Sequence, residues 1–165
     1  MNELKPGRKT LPSSAERLLP ILPVKARHFA LKAHLAHASL RQGFGNVSAA
    51  GEVLKTLYIA YHHSDAKAIL LLIDDFATAE EGLKMTIGTG AETGSYTLGK
   101  GYWSAGGSVF ALHDQQLDSL PLHRREAAHS ELRDLVNGPA LPNLVLLRRD
   151  ILDDIAEETA EQSAF

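Results

Sequence analysis

Histidines and carboxylates are the residue types best able to do chemistry in this chain, which has eight histidines and no cysteine. Glu126-Ala-Ala-His129 is the i, i+3 unit of di-iron carboxylate bundles, and His62, His63, His113, Asp74, Asp75, Glu80 and Glu81 add ligands if their helices converge. A complete centre of that kind takes a second Glu-x-x-His unit and two further inward glutamates. A metal-dependent enzyme using Glu126 and His129 is therefore an alternative resting on half a ligand set, and no metal or other cofactor is expected. The pairs Asp74-Asp75 and Glu80-Glu81 suit acid/base work only if one member is buried, and neighbouring helical residues point apart. No nucleophile or oxyanion donor is tied to either pair, so no catalytic residue is assigned and a non-enzyme is expected.

Two glycine-rich patterns invite a nucleotide. Gly94-Ser-Tyr-Thr-Leu-Gly99-Lys100-Gly101 follows a phosphate-cradling loop up to its last position, where Gly101 stands in place of the hydroxyl that holds magnesium. GTGAETG, residues 88–94, is one residue out of register for a dinucleotide turn, and no strand–turn–helix context surrounds it. Ser64-Asp-Ala-Lys67 has the spacing of a serine acyltransferase, but its partner motifs are missing, so Ser64 reads as a helix cap.

What remains is surface chemistry. Arg27, Ala30, His34, His37 and Arg41 share one stripe of a first helix, beside the apolar positions Val24, Leu31, Leu35 and Ala38. This stripe is a candidate partner-binding face, and its histidines would strengthen anion binding toward pH 6. A second candidate is the aromatic group Tyr96, Tyr102 and Trp103 in the glycine-rich stretch; the alternative is that these rings cap the end of a bundle. His113 and Asp114 form a further candidate pair, with Gln115 and Gln116 suited to bonding between helices.

The elements that must position these residues are helical. Val24 to Arg41 has helical spacing and stops at Gly43 and Gly45. Asn46 or Ser48 then caps a second helix with its stripe at Ala50, Leu54, Leu57 and Tyr61, the two forming an αα-hairpin. Residues Asp65 to Met85 continue as helix. Gly88 to Gly107 holds seven of the thirteen glycines and reads as a loop or short hairpin. Helical spacing returns at Val109, Leu112 and Leu120, again after Pro121 up to Asn137-Gly138-Pro139, and last at Leu144, Leu147, Ile151 and Ile155. The expected fold is an all-α, single-domain bundle of five or six helices with a Gly-rich loop near residues 88–107. Residues 1–14 form an N-terminal arm, 15–158 the helical domain and 159–165 a C-terminal tail.

Composition bounds the rest. With 165 residues, 44% of them hydrophobic, the chain is long enough for one core without staples, and the absence of cysteine excludes disulfides and thiolate-held metals. The longest apolar run, Ala68 to Ile73, is far too short to cross a bilayer, and MNELKPGRKTLPSS has no apolar h-region, so a cytoplasmic location with no membrane partner is expected. The formal net charge of -3 is unevenly spread: residues 1–41 hold eight bases and two acids, whereas residues 150–165 hold six acids and no base.

LKAHLAHASLRQGFGN, LYIAYHH and TGSYTLGKGYWSAGGSVFALHDQQLDSLPL together resemble a family of short uncharacterised proteins carried by proteobacterial prophages and plasmids, over about residues 27 to 135. In that family a helix ending in a small-residue turn precedes a second helix, a G-x-Y/F loop and an L-H-D-x-Q-L helix, here Leu112 to Leu117. The resemblance implies a mobile-element accessory protein that binds rather than catalyses. The expected function is a self-associating, protein-binding module acting through the first-helix stripe and the aromatic group. The alternative is a DNA-binding regulator, with the glycine turn making a helix-turn-helix variant and the basic arm touching phosphates.

Overall fold

The structure is a computed structural model that describes residues 13, 15 and 18–137. Among these residues there are five α-helices and no strand: α1 (Pro23–Arg41), α2 (Val47–His62), α3 (Ala66–Thr93), α4 (Trp103–Leu117) and α5 (Leu122–Asn137). A single 3-10 turn, Lys100–Tyr102, leads into α4. The all-α bundle is thus the architecture. The helix expected at Leu144 to Ile155, the 1–14 arm and the 159–165 tail lie outside the described residues, apart from Ser13 in the arm.

Each helix start and stop has a local cause. Pro23 opens α1, where its missing N–H costs nothing. The helix closes in a Schellman motif: Gly43 takes φ 77°, its N–H reaches Leu40 O at 3.4 Å, and the Phe44 N–H reaches Ser39 O at 2.9 Å. The Asn46 side chain caps α2 by accepting from the Ala49 N–H at 2.9 Å. Asp65, not Ser64, caps α3, accepting from the Ala68 N–H at 2.8 Å. Ser64 instead closes α2, its hydroxyl donating to Ala60 O at 2.7 Å.

The glycine-rich loop is much shorter than its composition suggests. α3 runs through Gly88 and Gly90 and ends at Gly94, the only one of the three with positive φ, while α4 begins at Trp103 and carries Gly106 and Gly107 inside it. Two of them, Gly90 and Gly106, serve close packing rather than turns, as does Gly82 earlier in α3. A Cβ on Gly82 would clash with Cβ, Cγ and Cδ1 of Tyr102, and one on Gly90 with Cγ, Cδ1 and Cε1 of Tyr96, so the two tyrosines of the connection are seated on glycine positions of α3. A Cβ on Gly106 would stand 2.7 Å from His37 Nε2.

α2 is the centre of the bundle and touches each of the other four helices. The core joins Leu40 of α1, Val53 and Leu57 of α2, Phe76 and Leu83 of α3, and Val109 and Phe110 of α4. A smaller cluster of Ile21, Ala26 and Leu117, with Phe29 and Leu122 against it, ties the start of α1 to the start of α5.

α1 is oriented opposite to its strongest hydrophobic signal. Val24, Leu31, Leu35 and Ala38 fall within about 60° of one another on the helix, and all four face solvent. The buried side is Ala26, Ala33, Ala36, His37 and Leu40, roughly 180° away. Alanines let α1 lie close against α2 and α4, and the stacking of His37 on Phe110 then fixes its rotation, with ring centroids 4.8 Å apart.

Candidate interaction surface

The expected basic stripe lies at the edge of the α1–α4 contact, and only part of it is surface. Arg27 is exposed. His34 is exposed, and its Nε2 is hydrogen-bonded to Asp114 Oδ2 of α4 at 2.7 Å. His37 is only 5% exposed, its Nε2 has no hydrogen-bond partner, and burial first, then the Arg41 charge, holds its pKa down at about 4. It is a neutral core ring and offers nothing to a partner. The Arg41 guanidinium lies 4.4 Å from the Trp103 ring centroid, a cation–π contact between the end of α1 and the start of α4.

The aromatic group turns inward as well. Tyr96 and Tyr102 are half-buried on their glycine seats, and the Tyr102 hydroxyl donates to Met85 Sδ at 3.0 Å. Trp103 donates its Nε1–H to Leu98 O at 3.0 Å. All three rings are partly buried against the main core. His113 is 1% exposed, neither ring nitrogen has a hydrogen-bond partner, and its Nδ1 lies 3.8 Å from Asp114 Oδ1; burial, followed by the Arg125 charge, pushes its pKa down to about 4. Asp114 is half-buried and engaged by His34, and Gln116 bonds across helices to Ala60 O at 2.9 Å and Ser64 Oγ at 3.1 Å.

The chemistry-bearing motifs are dispersed. Among the described residues no group of three or more histidines and carboxylates is placed to hold a metal ion. The Gly94–Gly101 segment follows a helix rather than a strand, so its amides lack the strand–loop–helix setting of a phosphate cradle. A cavity of about 10 Å³ beside His37, lined also by Leu57, Leu83 and Phe110, has room for no more than one water. Among the described residues no helix is long and apolar enough to cross a membrane.

Two features escape pattern reading. Glu52 of α2 lies between Lys32 of α1 at 2.9 Å and Lys55 at 3.1 Å, and these two ammonium groups outweigh its burial to hold its pKa low. Beside them Arg125 of α5 is 8% exposed, with its guanidinium 3.6 Å from the Phe29 ring centroid. The other is the outward apolar face of α1, where Val24 is 79%, Leu31 59% and Leu35 58% exposed. Leu22 just before the helix and Phe44 in the turn after it are also exposed. The alanines at 26, 33 and 36 were the available signal, since small residues at helical spacing mark a helix that sits close to its neighbours.

No family model matches the chain, and neither a curated protein nor a solved structure matches it.

Proposed function

We propose that the protein is a non-enzymatic, protein-binding module whose outer α1 face receives a helix of another protein. The observation that carries this reading is the run Val24, Leu31, Leu35 and Ala38 left in water on a helix whose opposite side is packed. A contiguous apolar stripe bordered by charge is a docking feature, because leaving it in water forfeits burial free energy that a partner restores. α1 carries four bases and no acid, and among them Lys25 and Arg27 stand exposed beside the stripe. The partner segment that fits is an amphipathic helix with a leucine-type ridge flanked by carboxylates. An accessory role on a prophage or plasmid, as the family resemblance implies, is the setting we propose for it.

The test is capture from host lysate with the full chain and two variants, followed by crosslinking to map the captured segment. Leu31→Glu with Leu35→Glu should abolish capture, and Arg27→Glu should slow association, with thermal unfolding unchanged in both. The mapped segment should be an apolar, acid-flanked helix. Capture that survives Leu31→Glu with Leu35→Glu refutes the reading, and nucleic acid as the captured species moves the DNA-binding regulator to first place.

A further inference from the structure

The outer face of α1 suits an apolar helix flanked by carboxylates, and the chain presents one of its own on the far side of the bundle. α1 and α3 each pack on both α2 and α4, and α2 and α4 pack on each other, so α1 and α3 lie on opposite sides of that pair. Along the outward side of α3, Leu71, Thr78 and Met85 recur every seven residues, with Leu71 73% and Met85 57% exposed. Asp74, Glu81 and Glu92 are exposed beside this row. Val24, Leu31 and Ala38 recur at the same interval on the outward side of α1.

Charge selects which faces meet. α1 holds four bases and no acid, whereas α3 holds five acids against two bases, Lys67 and Lys84, and Lys84 is paired with Glu80 at 3.2 Å. Two copies of α1 laid face to face would set Lys25 and Arg27 against their own kind, and two copies of α3 would do the same with Asp74 and Glu81. Like charges opposed across a contact are costly. α1 against α3 covers both apolar rows and brings opposite charges together. Because the two faces point away from each other, two molecules cannot make both contacts at once in a two-fold pair. Each contact leaves an α1 face free at one end and an α3 face free at the other, so the assembly is head to tail.

We propose that, when no external helix is bound, the outer face of α1 is covered by the outer face of α3 of a second copy of this chain, and that copies add head to tail through this one contact. The proposal rests on the reading of the α1 face as a docking face and names an occupant for it, which an external partner must displace. A contact between two single helix faces stays below about 1,200 Å² in total, the range of weak and reversible association, so it is measured from about 10 µM to about 1 mM.

Sedimentation equilibrium of the full chain reads the assembly, beside two variants that replace only exposed residues: Leu31→Glu with Leu35→Glu on α1, and Leu71→Lys with Asp74→Lys on α3. The wild-type average mass should rise with concentration past that of a dimer, and the association constant should fall at least about threefold between about 50 mM and about 500 mM salt. Each variant alone should stay monomeric at about ten times the concentration that half-assembles the wild type, with thermal unfolding unchanged. Mixed in equal amounts, the two variants should form a one-to-one pair and stop there, since the mixture retains one intact α1 face and one intact α3 face. A wild type that is monomeric at about 1 mM or stops at a dimer, an association indifferent to salt, assembly that survives either variant, or a mixture that stays monomeric overturns the proposal. The two ideas fail separately: a monomeric wild type with Leu31-dependent capture removes the second copy and keeps the docking face, and the expected mixing result without external capture keeps the second copy and removes the external partner.

Discussion

Adding one methyl group at Gly88 and at Gly90, two residues apart on α3, should change stability in opposite directions. Glycine inside a helix costs about 1 kcal/mol relative to alanine, chiefly through the backbone freedom it has in the unfolded chain. A Cβ at Gly88 meets nothing within 4 Å, so Gly88→Ala should recover that full amount. At Gly90 the same atom falls on three atoms of the Tyr96 ring, Cγ, Cδ1 and Cε1. A ring edge backed by the Gly45–Tyr96 bridge cannot swing aside as a flexible chain end would. Overpacking of this kind costs about 2–3 kcal/mol, which leaves Gly90→Ala destabilised by about 1–2 kcal/mol after the propensity gain.

Urea unfolding followed by circular dichroism measures both variants. With a denaturant slope of about 2 kcal/mol per molar, the midpoint should rise by about 0.5 M for Gly88→Ala and fall by about 0.5–1 M for Gly90→Ala. Truncation of the ring by Tyr96→Ala should turn the Gly90→Ala change neutral or favourable, and that coupling identifies the ring as the cause. Midpoints that move in the same direction for the two glycines, or a Gly90 effect that survives removal of the ring, would refute the glycine-seat account of the connection.

Acid should unfold the protein through its buried histidines. His37, His63 and His113 are held at about 4, below the ordinary 6.5, with burial the leading cause in each. Their folded pKa lies below the unfolded one, so their contribution is complete above pH 6.5 and is lost as pH falls toward 4. For His37 and His113 it is on the order of 3 kcal/mol each, a large part of a typical domain's 5–15 kcal/mol. Helicity that persists unchanged to pH 4.5 would contradict the neutral packed rings. Leu31→Ala and Leu35→Ala should each alter unfolding free energy by no more than about 0.5 kcal/mol, whereas Leu40→Ala should cost about 2–5 kcal/mol; comparable losses at Leu31 and Leu40 would show α1 turned the other way. Asn46→Ala should cost about 1 kcal/mol through the lost cap on α2, and Ser48→Ala should cost little, as chemical denaturation will measure.

Helix boundaries were largely legible because their causes are local. Pro23, Gly43, Asn46, Pro121 and Asn137 act within one turn of themselves, and the positions they mark are where the helices begin and end. The extent of the glycine-rich stretch was not legible, because a helical glycine and a turn glycine have the same residue type. Only the rings of Tyr96 and Tyr102, arriving from six and twenty residues further along the chain, reveal why α3 tolerates Gly90 and Gly82. The candidate surface was half legible. Arg27 and His34 do lie on exposed parts of α1, yet His37, on the same stripe, is inside.

By itself the sequence determined the all-α class, the local caps and stops, the cysteine-free chemistry and the opposite charges of the two ends, since each follows from residue type or short spacing. Tertiary structure alone decided which side of α1 faces the core. The periodicity of Val24, Leu31, Leu35 and Ala38 says that one side of the helix is apolar, and it carries no information on what that side meets. The rotation is set by the close fit of Ala26, Ala33 and Ala36, the His37–Phe110 stack and the His34–Asp114 hydrogen bond. These contacts reach across as many as 80 residues of chain, and their formation left the leucines in water.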